Sequence, residues 1–142
     1  PEKLIPLVIS KALKKEKIPL YGDGGNVRDW LFVEDHINAL IRVINHGKTG
    51  QSYCIGGNCE KKNKSLVMEI CNKLNILLKN DTNYSELIEF VEDRKGHDRR
   101  YAIDNRNIKK ELGWIPEYSF SEGLDITLKW YIENKDWLFN KV

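Results

Sequence analysis

Apolar residues recur at helical spacing near the start of the chain, at Leu4, Ile5, Val8, Ile9, Ala12 and Leu13. Lys11, Lys14, Lys15 and Lys17 gather at the polar end of that pattern. The spacing predicts a helix whose lysines face the negative end of its dipole, closed by Pro19. Ile18 to Tyr21 and Val27 to Val33 read as strands on either side of Gly22-Asp23-Gly24-Gly25, a composition that predicts a hairpin turn. Asp35 is placed to cap a second helix through Ile37, Leu40, Ile41, Val43 and Ile44, which Gly47 ends. Ser52 to Ile55 reads as a short strand stopped by Gly56-Gly57. Ser65 reads as the cap of a third helix with Leu66, Ile70, Leu74 and Leu77 on its buried stripe. Leu87 to Val91 and Arg100 to Ile103 are expected strands, and Asn105 to Leu112 a short helix ended by Gly113. A last helix is expected from Ser121 through Leu124, Leu128 and Tyr131 to about Trp137.

The fold class that follows is α/β, with mixed helices and short strands over residues 1–142. There is no internal repeat, low-complexity stretch or obvious linker. Short strands separated by helices suit the outer lobe of a larger α/β protein better than a free-standing doubly wound sheet. The 41% hydrophobic and 31% charged content reads as soluble and globular. A formal charge of +2, with lysines and acids alternating, argues against nucleic acid or an anionic membrane as partner. No apolar run approaches the roughly 20 residues of a membrane span, and no signal peptide opens the sequence. Three cysteines, Cys54, Cys59 and Cys71, make an odd set, so a reducing cytoplasm is the simplest setting. Asn80-Asp81-Thr82 and Asn83-Tyr84-Ser85 match the glycosylation sequon by chance in an Asn-rich chain. The chain starts with Pro1 and enters an amphipathic pattern at once, which reads as a cut through a longer protein.

Two motif-like segments resolve into plainer readings. A dinucleotide fingerprint needs three spaced glycines opening a helix, so that amide N–H groups and the helix dipole meet the pyrophosphate. After Gly22 and Gly24 the third position here is Val27, and strand follows. Tyr131 and Lys135 have the Tyr-x-x-x-Lys spacing of short-chain dehydrogenases, in which the lysine lowers the phenol pKa. Tyr131, however, continues the apolar stripe of the last helix and is expected in the core, with Lys135 solvated. A zinc site is not expected either, since Cys54 and Cys59 have no paired Cys/His set to complete a tetrahedron.

Three stretches concentrate residues that packing alone would not require. Pro19-Leu20-Tyr21 leads to Arg28-Asp29-Trp30, where an arginine early in a strand offers a planar fork to phosphate and an aromatic flanks a base. The plainer alternative is an Arg28–Asp29 surface pair with Trp30 in the core. Gly56-Gly57-Asn58 through Asn63 to Ser65 is a glycine-rich turn before a helix N-terminus, an anion site or simply a loop. Asp93-Arg94-Lys95-Gly96-His97-Asp98-Arg99-Arg100-Tyr101 sets charges around a glycine that permits a tight turn and aims Arg94 and His97 at one ligand. No partner carboxylate for His97 is identifiable from sequence, so phosphate or ribose contact is the better role for it than general base.

Taken in order, these stretches resemble the dTDP-glucose 4,6-dehydratase family of extended short-chain dehydrogenases. The match is carried by Pro1-Glu2-Lys3-Leu4-Ile5-Pro6-Leu7, by Arg28 through His36, by Tyr53-Cys54-Ile55-Gly56-Gly57 and by Glu60 to Asn63. Gly96 through Asp104, Glu111-Leu112-Gly113-Trp114 with Pro116, and Trp130-Tyr131 complete it. The resemblance implies the C-terminal substrate-binding lobe of such an enzyme, with the Rossmann half missing. The parent would convert dTDP-glucose to dTDP-4-keto-6-deoxyglucose with bound NAD and loss of water. It implies Lys3 and Leu4 at the nucleotide, Pro19, Leu20 and Tyr21 flanking the thymine, and Arg28 and Asn63 on the diphosphate. The loop Asp93, Arg94, Lys95, Gly96 and His97 would close over ribose and phosphate. The family usually has proline where this chain has Lys95, and its loss removes a fixed φ and loosens the loop. The catalytic Tyr/Lys pair, the threonine, the Asp-Glu acid/base pair, the NAD turn and most of the parent's homodimer surface would all precede Pro1. The chain alone would therefore hold a dTDP sugar, bind no NAD and turn nothing over. Two other readings stay open: a related sugar-nucleotide epimerase or decarboxylase, which would prefer UDP, and a stand-alone non-catalytic binding module.

Overall fold

The computed structural model describes residues 3–141; Pro1 and Glu2, which open the resemblance, and Val142 lie outside the described residues. In chain order the elements are α1 (Leu4–Leu13), β1 (Ile18–Tyr21), β2 (Val27–Asp29), α2 (Val33–His46), β3 (Glu60–Lys62) and α3 (Asn63–Leu78). A single 3-10 turn (Tyr84–Leu87) then leads to β4 (Ile88–Val91), α4 (Arg106–Leu112), α5 (Phe120–Glu133) and α6 (Lys135–Lys141). The mixed pattern of helices and short strands agrees with the α/β expectation. The chain divides into two compact units.

Among the described residues, the first unit comprises 3–26, Lys62–Arg99 and 124–141. β1 and β4 pair in parallel, with Ile18 opposite Ile88 and Tyr21 opposite Val91. Pro19, which has no N–H to give a ladder, is tolerated because this sheet has only two strands. α1 packs on β1, α3 and α6. Val8, Ile9 and Ala12 of α1 bury with Ile18, Leu20, Leu66, Val67, Ile70, Cys71, Leu74, Tyr84, Leu128 and Leu138. Each fully buried Leu or Ile side chain contributes roughly 1.5–3 kcal/mol of transfer free energy.

The second unit comprises Val27–Lys61 and Arg100–Gly123. Its core is Ala39, Ile108, Leu112 and Trp114, with Leu31, Val43, Tyr53 and Ile55 packed against it. α2 lies on α4. α4 ends at Gly113, whose φ of 67° is the left-handed cap that glycine adopts without strain.

Several sequence expectations need correction. β1 and β2 do not form a hairpin: β1 pairs with β4 and β2 with β3. Gly22 and Gly24, at φ 58° and 66°, turn the chain out of β1 without returning it alongside. The strand from Val27 stops at Asp29, because the chain enters α2 at Val33 with Phe32 as N-cap. Asp35 is not that cap. It is buried in the first turn, where its two oxygens accept the Glu117 N–H at 2.9 Å and the Tyr118 N–H at 3.3 Å. Ser52 to Ile55 forms no strand, whereas Glu60–Lys62, absent from the expectation, does. α3 starts at Asn63 with Lys62 as N-cap, three residues before the expected cap Ser65. Arg100 to Ile103 contributes only one bridge, Arg100 with Val27. The last helix breaks at Asn134, whose side-chain amide competes for the Trp130 carbonyl at 2.8 Å.

Candidate functional site

Chemistry collects at the carboxyl ends of β1 and β4. β1 has buried Ile18 and Leu20 by that point, and the chain emerging from both strands is polar and turning. β1 ends in Tyr21, 41% exposed, while Leu20 beside it is 2% exposed and belongs to the core. β4 runs out into the loop 92–99, where Gly96 turns at φ 72°. The Asp93 carboxylate organises this loop. Its Oδ1 accepts the Arg94 N–H at 2.9 Å and lies 2.7 Å from His97 Nδ1, and the His97 side chain is 6% exposed. The sequence offered no carboxylate partner for His97; the structure supplies Asp93, four residues back. Gly22 packs against the same carboxylate, since a Cβ there would lie 2.9 Å from Asp93 Oδ2. Arg94 and Lys95 are exposed, and neither makes an ion pair among the described residues.

The turn after β1 is braced against the same loop. Arg99 donates from Nη1 and Nη2 to the two Asp23 oxygens at 2.8 and 3.1 Å, and Asp23 also accepts the Gly25 N–H at 2.8 Å. The Arg99 guanidinium and that amide hold the Asp23 carboxyl down at about 2. Asn26, 2% exposed, donates its side-chain amide to the Asp98 carbonyl at 3.1 Å, and its own carbonyl accepts the Asn63 N–H at 2.9 Å. Asn63 thus opens α3 beside the turn, and its Oδ1 is buried with no hydrogen-bond partner. Lys3 is exposed ahead of α1, Leu4 is half-buried in its first turn, and Pro19 is half-buried on β1. The first unit therefore brings Tyr21 together with the Asp93–His97 loop, and Asn63 with the turn that the loop braces.

Arg28 belongs to the second unit. Its guanidinium lies over the Tyr101 ring, 4.4 Å from the centroid, and Nη1 donates to the Val27 carbonyl at 2.7 Å. Asp29 does not pair with it in the expected way. The Asp29 oxygens accept the Gly57 N–H at 3.0 Å and the Cys59 N–H at 2.7 Å. The glycine-rich turn 56–59 spends its Gly57 and Cys59 N–H groups on the protein's own Asp29 carboxylate. Asn105, 5% exposed, secures the turn by donating to the Gly56 carbonyl at 3.0 Å and accepting from Asn58 at 3.1 Å. Asp29, Asn105 and Tyr101 shape these turns as well; Asp29 and Tyr101 stand next to arginines of the charged stretches, while no neighbour of Asn105 marks it in the sequence.

The cofactor implied by the resemblance, NAD, needs a turn of open backbone N–H groups for its pyrophosphate. In the glycine turn 22–25 the Gly25 N–H is taken by Asp23, the Arg99 guanidinium fills the space beside Gly25, and β2 follows instead of a helix. These residues do not fit the pyrophosphate. No group of three or more His, Cys, Asp or Glu side chains able to hold a metal occurs among the described residues. No described helix is long and apolar enough to cross a membrane. Tyr131 is half-buried, with burial raising its phenol pKa, and Lys135 is exposed at the start of α6.

A family model described as GDP-mannose 4,6 dehydratase matches residues 1–127. A protein of Shigella flexneri named dTDP-glucose 4,6-dehydratase is 50% identical over 140 residues, 99% of this chain and 39% of the relative. Among solved structures, DesIV, a dTDP-glucose 4,6-dehydratase from Streptomyces venezuelae with NAD and TYD bound, superposes with a TM-score of 0.84. It is 42% identical, over 96% of this chain and 40% of that one. The dTDP-glucose 4,6-dehydratase of Bacillus anthracis in complex with NAD gives a TM-score of 0.82 at 47% identity, over 96% and 41% of the two chains. The chain thus spans about two-fifths of the length of the relatives it matches.

Proposed function

The chain belongs to the family described by the GDP-mannose 4,6 dehydratase model, and on that premise we propose that it is the part of a dTDP-glucose 4,6-dehydratase that grips the dTDP sugar. The choice of dTDP over GDP follows relatives at about 50% identity, which are dTDP-glucose 4,6-dehydratases. The single observation that carries the reading is the arrangement at the ends of β1 and β4. An exposed aromatic, Tyr21, stands beside a loop that presents Arg94 and Lys95, neither in an ion pair among the described residues, and an imidazole fixed by Asp93. An aromatic face suits a base, and cations with a held imidazole suit a diphosphate.

Roles follow from what each side chain has to offer. Tyr21 flanks the thymine with Pro19, and Leu20, sealed in the core, contributes through its backbone. Arg94 and His97 meet phosphate and ribose, with Asp93, Lys95 and Gly96 shaping their loop. Asn63, whose Oδ1 is buried, offers its side-chain amide N–H to the diphosphate. Arg28 provides a planar fork for the diphosphate, while Lys3 and Leu4 lie at the nucleotide. NAD serves the whole enzyme and is held outside this chain, which releases no keto product by itself. The whole enzyme is a cytoplasmic homodimer in this reading.

The test is a titration of the chain with dTDP and with UDP, followed by its amide resonances. Shifts at Tyr21, Arg28, Asn63 and Arg94–His97, larger with dTDP, are expected. Incubation with dTDP-glucose and NAD is expected to yield no 4-keto sugar. A preference for UDP points to an epimerase or decarboxylase instead, and turnover by the chain overturns the assignment of a binding role alone.

A further inference from the structure

The geometry points to Tyr101 as a positioning residue for Arg28, its ring holding the guanidinium in the plane from which it meets a diphosphate. The inference rests on the proposed role of Arg28 at the dTDP group. Arg28 is half-buried, and its guanidinium carbon sits 4.4 Å from the Tyr101 ring centroid. That is well within the range at which a ring quadrupole attracts a cation. The Val27 carbonyl accepts Arg28 Nη1 at 2.7 Å and the Tyr101 N–H at 3.0 Å, so one backbone oxygen ties both residues. The ring fixes the plane of the guanidinium, and the carbonyl fixes its rotation within that plane.

Tyr101 is itself held in place through its neighbours. Arg100 bridges to Val27, and its Nε and Nη2 donate to the Glu60 carboxylate at 2.6 and 2.8 Å. Glu60 opens β3, the partner of β2 on which Arg28 stands. The consequence is chemical. A bidentate fork matches two phosphate oxygens only when its plane is set, and a guanidinium already set loses less rotamer freedom on binding. Tyr101 is 53% exposed, so its ring stays open on the side away from the guanidinium.

The experiment is a double-mutant cycle on the full chain, titrated with dTDP and with thymidine. Tyr101→Leu is expected to weaken dTDP binding by about fivefold and leave thymidine binding unchanged, while Tyr101→Phe keeps the ring and stays near wild type. In an Arg28→Ala background, Tyr101→Leu is expected to add nothing. Equal weakening in both backgrounds, or none in either, overturns the inference. A ligand-free arm separates this outcome from failure of the binding reading. In the wild-type chain the Arg28 side-chain protons are expected upfield from the ring current, and Tyr101→Leu moves them back. Unshifted Arg28 protons in the wild type overturn the positioning role whether or not dTDP binds.

Discussion

Asp29 ties β2 to the glycine turn through two charge-assisted hydrogen bonds, to the Gly57 and Cys59 N–H groups. Removing the carboxylate leaves two part-buried donors without partners, and each such donor carries a desolvation penalty. Asp29→Ala is therefore expected to lower the unfolding free energy by about 2–4 kcal/mol, read as a shift of the urea midpoint at unchanged slope. Asp29→Asn keeps an acceptor oxygen, and about half that loss is expected. Cys71 makes a second prediction at this scale. Burial disfavours its thiolate and pushes the thiol up to about 11. Because the folded chain holds this proton more tightly than the unfolded one, the stability it supports is complete below the ordinary thiol range. That stability falls as pH rises through the ordinary range toward about 11. Thiol labelling at neutral pH is expected to modify exposed Cys54 quickly and Cys71 only on unfolding. Prompt labelling of Cys71 in the folded chain would sink this account of its burial.

At the scale of elements, what could be read in the sequence was set by how local the cause is. α1, α2, α3, α4 and β1 announce themselves through apolar spacing and through breakers such as Gly47 and Gly113, which act within a turn or two; Pro19 does not close α1, which ends at Leu13, and sits inside β1. The elements that were misread depend on partners distant in sequence. Whether Ile18–Tyr21 pairs with residues 27–33 or with 88–91 is decided by long-range packing, and no local residue type records it. Asp35 looks like a cap from its neighbours, yet its acceptors are spent on Glu117 and Tyr118, more than 80 residues away. The site divides along the same line. The charged loop and its glycine were visible as composition, so Arg94, Gly96 and His97 could be named. The Asp93–His97 contact depended on a turn geometry that composition only permits, and the Tyr101–Arg28 contact on a bridge between residues more than 70 positions apart.

At the scale of the molecule, α2 poses a problem that neither its residues nor its ladder settle. One side of the helix carries Ala39 and Val43 into the core of the second unit. Val33, Ile37, Leu40, Ile41 and Ile44 are exposed on the same helix, Ile44 to 81%. A helix whose apolar residues spread past the side that meets its own core presents a contiguous exposed stripe, and such a stripe drives association. The chain has little charge to oppose that, at a net +2. The expected behaviour of the isolated chain is concentration-dependent self-association, visible by sedimentation velocity. Ile37→Lys with Ile44→Lys adds two charges to that stripe while touching neither Ala39 nor Val43. The pair is expected to restore a single monomer boundary and to move the unfolding free energy by no more than about 0.5 kcal/mol per site. If the double variant associates as the wild type does, the stripe is not the cause. If it unfolds instead, Ile37 and Ile44 support the core in a way their exposure conceals, and the division of α2 into a packed and an open side is wrong.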